Sequence, residues 1–515
     1  MNKALFKRQN VELIIFFIIL AVGIFVRCLR FGLVPAGLNQ DEAFAGYEAY
    51  SLMNYGMDTA GYTNPVYLVA WGSGMNALES YLMMPFIAIF GLTPFAIRLP
   101  QVILGVASLF VVYLTGKKLY DTKTGLCAMA MLACCPWHIM LSRWGLESNL
   151  APGMILIATY FLLEGADNSK FLIPSAIFYG LSLYAYAAVW IIMPFILAAE
   201  VGYLIYAKKI KFDVYTIISG VIVFLLALPL LLFVLVNMGV IGEIKTGFIS
   251  IPKLLVFRSG EVSFENLAGK IGNLFDILTK QTDGLPWNYV DGYGFIGYVA
   301  LLFSVFGLIV LIMDVVRFYK NKGGRYCPGI MLFINFLFPF ILGMLIYVNI
   351  NRINILFLPM IILAGVGVAR IKSNIAIAGV ALYFCLFLFF FSKTYFSTYN
   401  DSIGYHFGSG LDQALEFADQ HASKVYLSGD IHYPRVLFYE KIPVTEFRDT
   451  VVYNNYPASF LSTDSFTKYS YAANTDDPDG SIDAAYIIGD DRDLSALADK
   501  GFWLVEFGRY RVAYH

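Results

Sequence analysis

Charge is scarce in this chain. Of its 515 residues, 14% are Asp, Glu, Lys or Arg, against roughly 25% in soluble domains. That shortfall excludes an ordinary soluble enzyme of this length. Cysteine is scarce as well. Cys28, Cys127, Cys134, Cys135, Cys327 and Cys385 all fall in or beside apolar runs, with none in the polar C-terminal tail and no CxxC spacing. Neither an extracytoplasmic disulfide framework nor a thiolate metal site is expected, so the thiols read as packing groups. There are five histidines, and they form no cluster that demands a metal. No repeat of about 20–50 residues is visible, which excludes solenoid architectures. No A-x-A cleavage site follows the first apolar run. That run exceeds the usual h-region of about 7–15 residues, so it reads as an uncleaved first span.

Apolar residues are abundant, at 58%. Runs such as Val11–Val26, Val214–Val236 and Ile375–Phe391 approach or reach the ~20 residues that cross the hydrocarbon core as a helix. Backbone groups find no partner in lipid, so such spans must be helical. Basic residues recur in short loops: Lys3/Lys7/Arg8, Lys117/Lys118/Lys123, Lys170, Lys208/Lys209/Lys211, Arg317/Lys320/Lys322/Arg325 and Arg370/Lys372. Short basic loops stay in the cytoplasm, and the alternation gives about eleven spans with the N-terminus inside and the C-terminus outside. Leu78–Leu92 contains Glu79 and Pro85 and is too short for a span. Counting it would send Lys117 and Lys118 outside, so it is expected to lie at the outer interface. Spans are expected at about 11–30, 99–116 and 125–142 in the first third.

The expected architecture is a polytopic α-helical membrane module over residues 1–396, with outer loops 31–98 and 237–292, followed by an extracytoplasmic α/β domain over 397–515. In that tail Asp412–His421 has helical spacing, while Lys424–Ser428, Ala484–Gly489 and Phe502–Phe507 read as strands. The tail holds 9 basic and 18 acidic residues against 27 basic and 19 acidic in the rest. An acidic tail on a basic membrane body argues against nucleic-acid binding. Its Asp476–Asp477 and Asp490–Asp491 pairs read as turns.

Charged residues at membrane depth are functional suspects. Glu164, Glu200 and Asp314 fall near expected inner ends, where snorkelling or water accounts for them. At the outer ends stand Arg27, Arg30, Arg98, Arg143 and Arg352. A guanidinium fork bonds two phosphate oxygens, so five at one face suggest an anionic ligand; headgroup contact and surface ion pairs are the plainer readings. On the same face come Gly37-Leu38-Asn39-Gln40-Asp41-Glu42, and a turn with Pro136-Trp137-His138, Ser142-Arg143, Glu147 and Asn149. Adjacent carboxylates point apart, so one is free to act as a base while the other positions a group or a metal. His138 reads equally as a hydrogen-bonded packing residue.

Taken together these residues resemble a GT-C membrane glycosyltransferase, and more narrowly glycosyltransferase family 39, the dolichyl-phosphate-mannose–protein mannosyltransferases and their bacterial relatives. The resemblance rests on four features. They are Asp41-Glu42 opening the first outer loop, Leu78–Gly91 running into Phe95-Ala96-Ile97-Arg98-Leu99-Pro100, the Pro136–Asn149 turn, and Asn351-Arg352-Ile353-Asn354 before a late span. It covers residues 1–396; the tail differs from the sugar-binding repeat domain of the eukaryotic enzymes. It implies an inverting transfer of a hexose-type sugar from a polyprenyl-phosphate donor to a hydroxyl of a protein, lipid or glycan acceptor, at the outer face of a plasma membrane. In that reading Asp41 and Glu42 are catalytic, with Asp41 the base. Arg98, Arg143 and Arg352 hold the donor phosphate. His138, Glu147, Asn149, Asn64 and Trp71 contact substrate. No cofactor is required, though Asp41, Glu42 and Glu147 leave room for a divalent metal. A transporter or flippase for a lipid-linked or anionic substrate is the alternative; it would call for broken helices, inverted repeats or mid-span charges.

Overall fold

The structure is a computed structural model describing residues 3–70, 73–257, 265–471, 475 and 483–515. Among these, six helices are long and apolar enough to cross a membrane: Gln9–Cys28, Pro94–Leu119, Ala187–Tyr206, Val214–Asn237, Tyr298–Lys320 and Asn374–Tyr395. Val214–Asn237 has a mean hydropathy of 3.0 yet is only 11% buried. A surface that apolar is stable against lipid tails, not water. The chain is a multi-pass helical membrane protein. It forms two compact units, one of residues 1–31, 100–230 and 259–397 and the other of 32–99, 231–258 and 398–515.

In the first unit, small residues bring helices together. A Cβ on Gly307 would lie 1.8 Å from the Leu363 carbonyl oxygen, and one on Gly367 would lie 2.6 Å from that of Phe303. Tyr298–Lys320 and Phe357–Ala369 therefore meet backbone to backbone, the usual basis of helix association in lipid. The span expected at 125–142 is interrupted. One helix covers Thr122–Ala133, and a second, Pro136–Leu141, restarts after Cys135. Pro136 has no N–H and disfavours helical geometry in the residue before it, while fitting the first turn of a new helix. The Trp137 N–H donates to the Phe295 carbonyl at 2.7 Å instead. Glu200 differs from expectation too, since it does not snorkel to a surface. It is fully buried and accepts hydrogen bonds from the Tyr179 hydroxyl and the Asn335 amide, both at 2.6 Å. Thr159 closes the network 3.0 Å from Tyr179. Hydrogen bonding of this kind makes a buried carboxyl tolerable in an apolar bundle.

The second unit is built on a seven-stranded mixed sheet. Its order is Trp503–Phe507, Tyr510–Tyr514, Ala484–Ile488, Lys424–Leu427, Tyr469–Ser470, Thr463–Phe466, Val452–Tyr453. Lys424–Leu427 runs parallel to both its neighbours, and the other pairs are antiparallel. Within this unit the C-terminal segment shares its core with the first loop. Leu38, Phe44 and Tyr47 belong to one apolar cluster with Leu411, Val425, Val436 and Phe438. A Cβ on Gly46 would meet the Phe438 ring at 2.9 Å, so the helices Gln40–Tyr55 and Tyr433–Glu440 pack closely at that glycine. Leu78–Phe90 is a helix of 13 residues, short of a span. It leans on Gln40–Tyr55, with the Ser80 hydroxyl donating to the Ala45 carbonyl at 2.8 Å.

Candidate functional site

The Gln40–Tyr55 helix starts where the sequence provides a capping box. The Asn39 side chain accepts from the Asp41 N–H at 2.8 Å, and Glu42 accepts from the Asn39 N–H at 3.1 Å. Each bond satisfies an N–H that a helix start leaves orphaned. Gly37 makes the approach possible. Its φ is +74° and a Cβ there would lie 2.5 Å from the Phe407 carbonyl oxygen, so only glycine fits. At the far end Gly56 takes the left-handed conformation that terminates helices.

The two adjacent acids part company at this start. Glu42 is fully buried and bonded by Arg98 on both oxygens, at 3.1 Å from Nε and 2.6 Å from Nη2. Arg98 is equally buried, and its remaining N–H groups reach the carbonyls of Gly32, Pro35 and Gly37 at 3.3, 2.8 and 2.7 Å. Arg98 is therefore committed to the loop and to Glu42 and is not presented to a phosphate here. Asp41 is the second residue of the helix and keeps part of its surface exposed. Its carboxylate accepts no hydrogen bond from a described residue. Burial pushes its pKa up to about 6, while the Arg435 guanidinium nearby pulls the other way.

Arg435 was not singled out by sequence. It sits on the Tyr433–Glu440 helix, 4% exposed, with Nη2 donating to the His406 carbonyl at 3.0 Å. Its Nε has no partner among the described residues. The available signal was an arginine beside the apolar run Val436-Leu437-Phe438 just after a helix-starting Pro434. A second buried acid, Glu48, lies one to two turns further along the Gln40–Tyr55 helix. It accepts from the Thr59 N–H at 3.0 Å and from the Thr59 hydroxyl. Burial and the charge of Asp58 hold its carboxyl well above the ordinary range.

In the other unit, Arg143 is fully buried and caps the first helix. It donates to the carbonyls of Val26, Arg27, Leu29 and Arg30 at 3.0, 2.7, 2.7 and 3.4 Å. It also lies over the Phe396 ring at 4.9 Å. These are carbonyls that a helix C-terminus leaves unpaired, and a cation there also suits the helix dipole. Arg143, like Arg98, has a structural occupation. His138 is 1% exposed, with Nδ1 2.8 Å from Arg27 Nη2. Arginine can only donate, so Nδ1 accepts and the ring proton is on Nε2. Asn149 is buried and makes long contacts of 3.5 and 3.4 Å to the carbonyls of Leu141 and Trp144. Glu147 opens a short 3-10 turn and is partly exposed. Arg352 also keeps part of its side chain exposed while donating to the Tyr347 carbonyl at 3.3 Å.

Asn64 is exposed, with φ +45°, and its amide donates to the Phe248 carbonyl at 3.2 Å. Trp71 and the Asp476–Asp477 pair lie outside the described residues. Among the described residues no three His, Cys, Asp or Glu side chains come together to hold a metal.

Residues 77–233 match the family model described as dolichyl-phosphate-mannose-protein mannosyltransferase. That segment is under a third of the chain. No curated protein matches. Among solved structures, ArnT from Cupriavidus metallidurans in the apo state has a TM-score of 0.55 at 13% identity, covering 98% of each chain. The same protein bound to undecaprenyl phosphate has a TM-score of 0.53 at 13% identity, covering 97% of each chain. Identity this low speaks to the fold alone, and the fold is that of a multi-pass GT-C protein with a C-terminal sheet domain. The family-model match includes the Phe95–Pro100 and Pro136–Asn149 segments on which the resemblance to GT-C glycosyltransferases rests, while Asp41-Glu42 lies outside it.

Proposed function

We propose that this chain is a GT-C-type glycosyltransferase that takes its sugar from a polyprenyl phosphate and passes it, with inversion, to an acceptor hydroxyl. The observation that carries the reading is the division of labour at the start of the Gln40–Tyr55 helix. Glu42 is locked by Arg98 and the cap, which leaves the neighbouring Asp41 rigidly placed with a carboxylate free of described hydrogen bonds. The undecaprenyl phosphate in the ArnT structure supports a lipid-phosphate donor.

Asp41 is the general base. Its carboxylate takes the proton of the acceptor hydroxyl as that oxygen attacks the anomeric carbon. The bond from that carbon to the phosphate oxygen breaks, and its electron pair leaves with the phosphate. Attack opposite the leaving group inverts the centre. A carboxylate whose pKa stands at about 6 is still mostly ionised at neutral pH and is a stronger base than a solvated aspartate. The leaving group needs charge stabilisation more than a proton. Of the three arginines first considered for this, Arg352 is the one that is not fully buried, and the phosphate contact is assigned to it. Arg98 and Arg143 act as positioning residues. Glu147 and Asn149 remain assigned to the sugar, and His138 to holding Arg27. A hexose as the sugar, a protein, lipid or glycan as acceptor, and the outer face of the plasma membrane as the place are parts of the same proposal. The recurrence of Lys and Arg in short loops supports that sidedness.

The test is transfer from a labelled polyprenyl-phosphate sugar by the full chain in liposomes. Comparative mass spectrometry of cell-surface glycans and glycoproteins, from cells carrying the wild type or Asp41→Asn, identifies the acceptor. Loss of the base costs about 10²–10⁴-fold in rate. A folded Asp41→Asn protein with full transfer activity would sink the mechanism.

A further inference from the structure

Four helices of the first unit, Leu150–Gly165, Leu172–Ser182, Ala187–Tyr206 and Gly329–Leu345, meet through one polar side chain each: Thr159, Tyr179, Glu200 and Asn335. All four are buried, and their contacts close a ring. Thr159 Oγ1 lies 3.0 Å from the Tyr179 hydroxyl and 3.3 Å from Asn335 Oδ1. One oxygen of Glu200 lies 2.6 Å from the Tyr179 hydroxyl, and the other lies 2.6 Å from Asn335 Nδ2.

The ring needs more hydrogens than a carboxylate leaves it. A threonine or tyrosine hydroxyl has one to give, a primary amide has two, and an ionised carboxylate has none. Asn335 spends one of its two on the Met331 carbonyl at 2.9 Å. That contact also fixes which end of the amide is nitrogen, because an amide oxygen there would face another oxygen. Three hydrogens then remain for four contacts. Taken as an ionised acceptor, Glu200 uses the Tyr179 hydrogen, and Thr159 has a single hydrogen for two neighbours. One contact then sets lone pair against lone pair. With a proton on Glu200 the count closes. Glu200 donates to Tyr179, Tyr179 to Thr159, Thr159 to Asn335, and Asn335 back to the second oxygen of Glu200. Each side chain in that ring donates once and accepts once, an order in which hydrogen bonds strengthen one another. The charge balance points the same way. Among the described residues no lysine, arginine, histidine or second carboxyl faces Glu200, and its partners Tyr179 and Asn335 are neutral. A buried carboxylate without a counter-charge is among the costliest groups an apolar bundle can hold.

We propose that Glu200 is present as the carboxylic acid and that its proton is the fourth hydrogen of the ring, a latch joining four helices. Removing the proton leaves a bare charge and opens the ring at Thr159. This holds whether or not the chain transfers sugar. The test is infrared difference spectroscopy of the full chain in lipid nanodiscs at neutral pH, wild type minus Glu200→Gln, with and without carbon-13-labelled glutamate. The amide of the variant keeps an N–H for Tyr179 and a carbonyl for Asn335, so its Tm should match the wild type. The difference should show one lost carboxylic-acid C=O band that shifts with the label. Glu48 is another buried acid, and the substitution at position 200 separates the two. Thr159→Val removes the acceptor of the Tyr179 hydrogen and should move the Glu200 band without abolishing it; this second variant decides the matter if Glu200→Gln fails to fold. The inference is overturned if carboxylate bands are lost in place of the acid band, whether that charge stands bare or is met by a cation. It is equally overturned if a folded Glu200→Gln unfolds well below the wild type, or if Thr159→Val leaves every glutamate acid band where it was.

Discussion

Asp41→Asn should remove activity and at the same time stabilise the second unit. In the folded chain the Asp41 pKa lies at about 6 against an ordinary value of 3.8. The gap of about two units corresponds to about 3 kcal/mol, at 1.36 kcal/mol per unit. Because the folded pKa is raised, the fold favours the neutral acid. Below about pH 4 both folded and unfolded forms are protonated and the group costs nothing. Between about pH 4 and 6 the unfolded chain ionises first, and stability is lost as pH rises; above about 6 the penalty is constant. Asparagine stays neutral throughout but gives up the interaction of a carboxylate with the helix N-terminus, worth about 0.3–1 kcal/mol. The net gain for Asp41→Asn at pH 7 is then roughly 2 kcal/mol. In a unit of this size that amounts to about 4–8 °C in Tm. Thermal unfolding of the detergent-solubilised chain at pH 4, 5, 6 and 7.5 measures it. The wild type and variant should converge at low pH and separate as pH rises. A constant offset, or a variant less stable at neutral pH, would refute the burial argument for the shifted carboxyl. A stabilised variant that still transfers sugar would refute the base assignment alone.

Other consequences follow from the same contacts. Transfer activity should fall as pH drops through about 6, and Arg435→Gln should move that limb upward, because it removes the charge that keeps Asp41 ionised; an unmoved limb would separate Arg435 from Asp41. Arg98→Leu alone strands the buried Glu42 and should cost about 3–5 kcal/mol, while Arg98→Leu with Glu42→Leu should recover much of it, read as Tm in a double-mutant cycle. Gly307→Ala pushes a methyl into the Leu363 carbonyl, and loss of monodisperse protein on size-exclusion chromatography is expected, whereas Gly220→Ala, which meets nothing within 4 Å, should be silent. Arg352→Gln should slow transfer by about 10²–10³-fold if the guanidinium meets the leaving phosphate, with Arg352→Lys partly restoring it; equal rates in all three would exclude that contact.

Much of the fold was legible because lipid is a simple solvent. Long apolar runs have one outcome there, and Gln9–Cys28, Pro94–Leu119, Val214–Asn237 and Asn374–Tyr395 each cover a run or span read from the sequence. The tail strands were legible for a different reason, since Lys424–Leu427, Ala484–Ile488 and Trp503–Phe507 are short β-rich runs bounded by turn residues. The Tyr510–Tyr514 strand was missed, although Gly508 marks the turn into it. Composition could not say that the first loop completes the core of the tail. The Tyr47 hydroxyl donates to the Ile442 carbonyl at 2.5 Å across 395 positions of sequence, and no local pattern encodes such a pairing. Buried polar partners were equally hidden. Charge at Arg98, Arg143 and Glu200 is plain in the sequence, but which carbonyl, carboxylate or amide uses it is a property of packing.

The acid pair shows how far local rules reach. Asn39-x-x-Glu42 is a capping-box signature ahead of an apolar helix, and it already assigns Glu42 to the cap. Successive helical residues point about 100° apart, as 3.6 residues per turn requires. Once Glu42 turns inward to Asn39 and Arg98, Asp41 must face elsewhere. The sequence pattern therefore contains the reason that only one of the two acids is available for chemistry. What it lacks is Arg435, whose charge reaches Asp41 from the Tyr433–Glu440 helix. Burial raises the Asp41 pKa and makes it a better base, while the opposing guanidinium keeps it ionised at neutral pH. A general base needs both, and the second comes from the tail, so the C-terminal segment belongs to the proposed chemistry rather than being an appendage to it.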